Sequence, residues 1–326
     1  MDLLVATAAA NGGYFRTYQA LDSGYHRRDL QRAVRTKVIH RIRHGTYAFA
    51  EMWDDLTPEQ RHVVLTKSVV RESNGAVAAC SVSACALRGM SLWGHDLSQI
   101  HVMRLGGGAS RREAGVVHHR AAIAESEVEI VDGIPSVSAA RAACEAGSRV
   151  GLEAGIVLYD SGLRLGAVTE ESLDRQAALM ERHPGTRKVR FGVRLADGRA
   201  ESPGESRNRF LFYRFNVPTP DLQVSVHDSA GLLIGITDFG WELYCHVGEF
   251  DGMIKYRRRS NGDRDPEAVV IDEKRREDKI RAQRRGVTRT IWADLNGKQA
   301  ARTADRTKAD LEQSRQQFTR NRVTIV

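Results

Sequence analysis

A chain of 326 residues exceeds the usual size of one domain, so two or three compact units are expected, with 41% hydrophobic residues to build their cores. The formal net charge of +8 favours a polyanionic partner. There is no apolar run of about 18 residues and no basic leader before the Leu3 to Ala10 stretch, which argues against a membrane helix and predicts a cytoplasmic protein.

Leu3, Ala6 and Ala10 recur at helical spacing before Asn11-Gly12-Gly13, which predicts a first helix and its stop. Thr17, as N-cap, opens a short second helix that ends at Ser23-Gly24. From His26 to Arg35, Leu30, Ala33 and Val34 form an inward face, and Arg27, Arg28, Gln31, Arg32 and Arg35 lie outside. Val38 to Arg43 alternates as a strand, His44-Gly45 turns, and Thr46 to Phe49 returns. Three helices and a hairpin make a winged helix-turn-helix over residues 1–55. In that fold the third helix enters the major groove of DNA, where Arg and Gln suit base edges, while Arg41, Arg43 and His44 suit the phosphates.

Gly13, Gln19-Ala20, Gly24, Leu30, Ile39, Arg41-Ile42-Arg43, Gly45 and Tyr47-Ala48 give residues 1–50 a resemblance to the N-terminal domain of AbiEi-type abortive-infection antitoxins. The resemblance implies a winged helix that binds DNA, often in transcriptional autoregulation, and a cognate toxin protein as a further partner.

Residues 56–195 read as an α/β connector domain. Thr57 caps a helix with Pro58 in its first turn, running toward Glu72. Strands are expected over residues 99–104 and 116–119, a loop at Gly106-Gly107-Gly108, and helices near residues 138–146 and 172–182. Ser81 and Ser83 lack nucleophile-elbow glycines, and His118 and His119 face opposite ways on a strand, so none is assigned catalysis. Four cysteines, Cys80, Cys85, Cys144 and Cys245, fit neither a disulfide framework nor a zinc spacing and read as buried free thiols.

From Ala200 the pattern changes. Ser202 caps a helix with Pro203 in its first turn and Glu205 at its third position, and strands follow over residues 222–227, 232–239 and 244–250. Alternation puts Glu249 and Asp251 on one side of the third strand, with Asp238 at the end of its neighbour and Glu205 projecting from the helix. Such hard oxygen ligands suit Mg²⁺ or Mn²⁺, which would activate water against a phosphodiester, while Lys255 would steady the developing charge. Asp238, Glu249 and Asp251 are the expected metal ligands. Glu205, Asp238, Glu249, Asp251 and Lys255 together form the expected catalytic set. A charged helix over residues 272–285, stopped by Gly286, offers Lys274 and Arg281 to a nucleic-acid backbone, and a closing strand follows at residues 288–292.

The ordered set Ser202-Pro203-x-Glu205-Ser206, Pro218-x-Pro220-x-x-Gln223, Asp238-Phe239-x-Trp241, Gly248-Glu249-Phe250-Asp251-Gly252-x-x-Lys255-Tyr256 and Glu273-Lys274-x-Arg276-Glu277-Asp278 resembles the very-short-patch-repair-like branch of the restriction-endonuclease-like, PD-(D/E)XK, superfamily. That resemblance covers residues 200–295 and implies a central sheet flanked by helices and a divalent-metal nuclease. Asp251 stands where the superfamily pattern places Lys, and Lys255 lies farther on. The expected architecture is an α+β multidomain chain: winged helix, connector, restriction-endonuclease-like nuclease domain over residues 196–300, and a polar tail over residues 301–326, helical or partly disordered. The expected function is a DNA-binding, metal-dependent endonuclease in phage defence. The alternative is an AbiEi-type antitoxin and transcriptional repressor whose nuclease-like domain is inactive.

Overall fold

A computed structural model describes residues 2–106, 109–120, 123, 127–252 and 266–319, and the chain divides into two compact units, residues 1–195 and 196–326. The first unit opens with α1 (Asp2–Ala10), which Gly12 and Gly13 end by adopting positive φ of 81° and 105°. Then come β1 (Phe15–Arg16), α2 (Thr17–Asp22), α3 (Arg27–Arg35), β2 (Ile39–Arg43) and β3 (Thr46–Phe49), with strand order β1-β3-β2. Leu4, Ala8, Phe15, Ala20, Leu30 and Ile39 form the core of this winged helix. The cap of α2 is Arg16 rather than Thr17, because Arg16 is still paired with Thr46 in the sheet and its N–H donates to Gln19 Oε1 at 2.8 Å.

After α4 (Ala50–Trp53), α5 (Pro58–Glu72) starts as its sequence dictates, with the Thr57 hydroxyl accepting from Gln60 N at 3.3 Å. β4 (Val77–Ala79), α6 (Ser81–Leu87), β5 (Ile100–Arg104), β6 (Arg111–Glu113), β7 (Val116–His119), β8 (Val128–Val131) and β9 (Ile134–Val137) follow. They build a mixed six-stranded sheet in the order β6-β7-β5-β4-β9-β8. α7 (Ala139–Arg149), α8 (Leu152–Arg164), α9 (Glu170–Leu179) and α10 (Thr186–Leu195) complete the unit around the buried Tyr159. A Cβ on Gly147 would stand 2.0 Å from the Tyr159 hydroxyl, so the two helices carrying them approach closely only because residue 147 is glycine. Ser81 and Ser83 are buried, as are Cys80, Cys85 and Cys144.

The winged helix and the connector are not separate bodies. Arg71 donates to the Asn11 carbonyl at 2.8 Å, Arg16 pairs with Glu72, and Arg43 donates to the Ala114 carbonyl at 3.2 Å, so polar contacts cross the boundary expected near residue 55.

In the second unit, α11 (Pro203–Arg214) leads into β10 (Asp221–His227), β11 (Leu233–Trp241) and β12 (His246–Asp251), paired antiparallel in succession. α12 (Pro266–Ala282) then returns the chain so that β13 (Gly286–Ile291) pairs parallel to β12, the crossover that parallel pairing demands. One core cluster joins Leu211 and Phe212 of α11 to Phe239 and Trp241 of the sheet and to Ala304 and Leu311. A second joins Val226 and Val247 to Ile280 of α12. The sheet is therefore covered by helices on both faces.

Two expectations change in this unit. Residues 301–326 are not simply a polar tail, because α13 (Gly297–Thr319) packs Ala304 and Leu311 fully into the core. Buried Thr303, Thr307 and Ser314 complete its inner face, and such small polar residues conceal a helix face that apolar periodicity cannot reveal. Nor does Gly286 stop the preceding helix. It opens β13, where a Cβ would lie 2.0 Å from Ser314 Oγ and 2.3 Å from His246 Nδ1. His246 is buried there between Ser314 Oγ and Thr288 Oγ1, each at 2.8 Å, and burial pushes its pKa down to about 4.

Candidate nucleic-acid interface and carboxylate cluster

Burial of Leu30 fixes the rotation of α3, which turns its other face to solvent. Arg27, Arg28, Gln31, Arg32 and Arg35 are exposed, and so is Arg41 on β2. Among the described residues none of these five arginines has a carboxylate partner, so their donors face water. The His26 N–H donates to Asp29 Oδ2 at 2.8 Å, which fixes the start of the helix. A basic helix with free guanidinium groups can engage phosphates and base edges.

Arg43 departs from this pattern. The β2–β3 register shifts between Arg41 and Arg43, and the irregularity re-aims the side chain toward the connector sheet. Its guanidinium is half-buried on the Ala114 carbonyl, and burial lowers its pKa. Arg43 is thus a packing group rather than the exposed phosphate contact the sequence suggests.

In the second unit the strand registers align a polar row across the sheet. Phe239 opposite Gly248 brings Asp238 level with Glu249, and Glu249 is paired directly with Arg289. Gln223, in the left-handed region at φ 53°, falls between Leu222, opposite Phe239, and Val224, opposite Thr237. Glu205, 7% exposed near the start of α11, meets this row. Its carboxylate accepts from Glu201 N at 2.8 Å, from the Ser202 hydroxyl at 2.7 Å and from Gln223 Nε2 at 3.0 Å. Burial nevertheless raises its pKa.

Asp238 accepts from Phe250 N at 2.7 Å. Burial, with the nearby charges of Glu205, Glu249 and Glu201, pushes its pKa up to about 7. An acid held near neutrality by desolvation and like charge marks excess negative potential, which a bound cation would relieve. Glu249, 9% exposed, is differently placed: Arg276 Nη2 lies 2.5 Å away and Arg289 Nη2 3.2 Å. Glu273 bridges the same two arginines at 3.0 and 2.9 Å. Burial opposes ionisation of Glu273, but the guanidinium groups outweigh it and hold its pKa below the usual range.

The structure therefore brings Glu205, Asp238 and Glu249 to one neighbourhood, with Asp251 half-buried at the end of β12. Lys255 lies outside the described residues. Lys274 is exposed on α12, whereas Arg281 is held by Glu277 at 2.7 and 3.0 Å. Among the described residues, no three of His, Cys, Asp and Glu are arranged to hold one metal ion. The expected triad of Asp238, Glu249 and Asp251 is thus not assembled as a three-carboxylate cage, because two arginines take up the Glu249 oxygens. Mg²⁺ commonly uses one or two carboxylates with water and substrate phosphate, so Asp238 and Glu249 still have suitable donor chemistry.

Sequence reasoning placed Gln223 and Arg276 in the nuclease-like motif set without assigning either a role, and did not single out Arg289. Arg276 follows Glu273 at helical spacing and Arg289 alternates with buried Thr288 and Thr290, signals that place them on faces but cannot name their shared partner.

Comparison with known proteins supports the N-terminal reading. Residues 2–50 match the family of transcriptional regulators described as AbiEi antitoxin. The matched segment covers the winged helix with its basic α3. Two curated relatives, the uncharacterized proteins MT2308 of Mycobacterium tuberculosis strain CDC 1551 / Oshkosh and Rv2248 of strain ATCC 25618 / H37Rv, are each 25% identical over 179 residues. The alignment takes in 55% of this chain and 64% of each relative's length. Among the described residues no helix is long and apolar enough to cross a membrane.

Proposed function

We propose that the protein binds duplex DNA through its winged helix and acts as an AbiEi-type transcriptional regulator, with a cognate toxin protein as a second partner. The observation that carries the reading is α3, whose exposed arginines have no carboxylate partners among the described residues, within a segment matching antitoxin regulators. Recognition by this helix would combine base-edge contacts from Arg28, Gln31 and Arg32 with phosphate contacts from Arg27, Arg35 and Arg41. The test is titration of a labelled duplex from upstream of the protein's own reading frame. Saturable binding that competitor DNA does not remove, and that Arg28→Ala with Arg32→Ala abolishes, supports the reading. Equal binding by that double variant rejects the assignment of α3.

A second reading rests on Asp238, whose raised pKa beside Glu205 and Glu249 is suited to a divalent cation. In it the second unit is a restriction-endonuclease-like nuclease that hydrolyses DNA phosphodiesters in phage defence. Asp238, Glu249 and Asp251 would hold Mg²⁺ or Mn²⁺, with Glu205 orienting water and Lys255 near the phosphate. Bound metal would supply Lewis-acid polarisation of the phosphate and a more acidic water. Glu205 would accept a proton, and release of Glu249 from Arg276 would free a ligand oxygen. Incubation of wild type, Asp238→Ala and Glu249→Ala with nicked, mismatched and intact DNA in Mg²⁺ or Mn²⁺ decides it. Cleavage lost in both variants supports the nuclease, and no cleavage by wild type leaves a regulator with an inactive domain.

A further inference from the structure

A cavity of about 600 Å³ lies in the first unit, where the tip of the β2–β3 wing meets the end of α5 and strands β4, β5, β7 and β6 of the six-stranded sheet. Its size falls within the roughly 300–1,000 Å³ of small-molecule sites. Val69, Val77 and Val116, all buried, give it an aliphatic floor. Around them stand Arg43, His44, Arg104, Arg111 and His118, against the carboxylates Glu72 and Glu113. Both carboxylates are already engaged: Glu72 pairs with Arg16, and Glu113 with Arg111 at 3.2 Å. Arg43 is committed to the Ala114 carbonyl. Arg104 is the cation left over, and among the described residues it has no hydrogen-bond or ion-pair partner.

The local potential is positive. His118 is held below its ordinary pKa first by burial and then by the charges of Arg111 and Arg104. A single guanidinium fork satisfies a carboxylate, whereas a fork beside His118 in a cavity that His44 also lines has more donors at hand and matches the oxygens of a phosphate. The aliphatic floor suits a flat apolar ring. A duplex is far too large to enter a cavity of about 600 Å³.

We propose that this cavity binds a small phosphorylated organic anion of mononucleotide size, its phosphate on Arg104, His118 and His44 and its ring on Val69, Val77 and Val116. Since Arg43 and His44 belong to the wing, an occupant would also bias the position of the wing, and that consequence alone rests on the DNA-binding reading above.

The test is isothermal titration of the full chain with AMP, GMP, CMP, UMP and inorganic phosphate, without DNA. At least one mononucleotide is expected to bind once per chain and more tightly than phosphate. Arg104→Gln should weaken it by roughly tenfold or more, the loss of one charge-assisted contact. Ala76→Trp at the cavity lining should block it, and Arg28→Ala should leave it unchanged. Protection of Arg104 from phenylglyoxal in the wild-type chain, read by mass spectrometry, tests the same point should a variant fail to fold. The proposal is overturned if no mononucleotide binds, if phosphate binds as well as the mononucleotides, or if Arg104 is not protected. It is equally overturned if duplex DNA is the molecule that needs Ala76 and Arg104. DNA affinity that shifts several-fold with saturating mononucleotide in wild type but not in Arg104→Gln supports the wing coupling. Mononucleotide binding with no DNA binding leaves the cavity standing and removes the DNA reading.

Discussion

The arginines of α3 and those around Glu249 are the same residue type in opposite circumstances. Arg27, Arg28, Arg32 and Arg35 are exposed with no carboxylate partner among the described residues, whereas Arg276 and Arg289 are drawn in by Glu249 and Glu273. Charge left unpaired at the surface stays available to a polyanion and adds little to folding. Paired and partly buried charge is committed to holding α12 and β13 against β12. A net charge of +8 therefore says less about DNA than the location of the unpaired fraction.

The comparison breaks most visibly at Glu249. Glu249→Ala strips two guanidinium groups of their most buried acceptor and is expected to destabilise the chain by about 2–3 kcal/mol, below the fully buried case because both arginines are a third exposed. Urea unfolding followed by tryptophan fluorescence reads this, and an unchanged midpoint would mean that the network is loose. At the other pole, Arg28→Ala with Arg32→Ala should leave stability within about 0.5 kcal/mol of wild type, the usual range for surface substitutions. The same pair, placed on base edges, should lower DNA affinity and relax discrimination between sequences, whereas Arg27→Ala with Arg35→Ala, placed on phosphates, should reduce the slope of log K against log salt by about 2.

Asp238 sharpens the contrast through pH. Its folded pKa of about 7 lies above the unfolded value, so the folded state binds more protons between about pH 4 and 7. This group's contribution to stability is thus full below pH 4 and lost as pH rises through 7. Asp238→Asn, which keeps an acceptor for Phe250 N, should flatten that decline, and a set of melting curves from pH 5 to 8.5 checks it. A Mg²⁺-dependent rise in the wild-type melting temperature at pH 8, absent in the Asn variant, would indicate cation binding at this acid. The smallest effect belongs to Arg281→Ala. Its guanidinium is already taken by Glu277, so DNA affinity should change less than for Lys274→Ala on the same helix.

Much of the fold is legible in local chemistry. Thr57 and Ser202 announce α5 and α11 by their caps, Leu30 sets the inward face of α3, and Gly12-Gly13 end α1. The elements that escape are those whose signal is tertiary. β1 has only two residues and exists because β3 pairs with it, and α13 buries threonine and serine rather than leucine along much of its inner face. At the candidate site the acidic residues are readable from strand alternation, but their partners come from sequence-distant segments. Arg276 and Arg289 reach Glu249 across 27 and 40 residues, and Gln223 reaches Glu205 across 18.

The sequence by itself determined the winged helix, its basic third helix and the strands that carry Asp238 and Glu249, because caps, turns and hydrophobic periods act over a few residues. Only the tertiary structure decided which charges are free and which are spent. Pairing depends on strand register, on the crossover that sets α12 over the sheet, and on a bulge that turns Arg43 away from solvent. Those arrangements join residues far apart in the chain, and no local pattern specifies them.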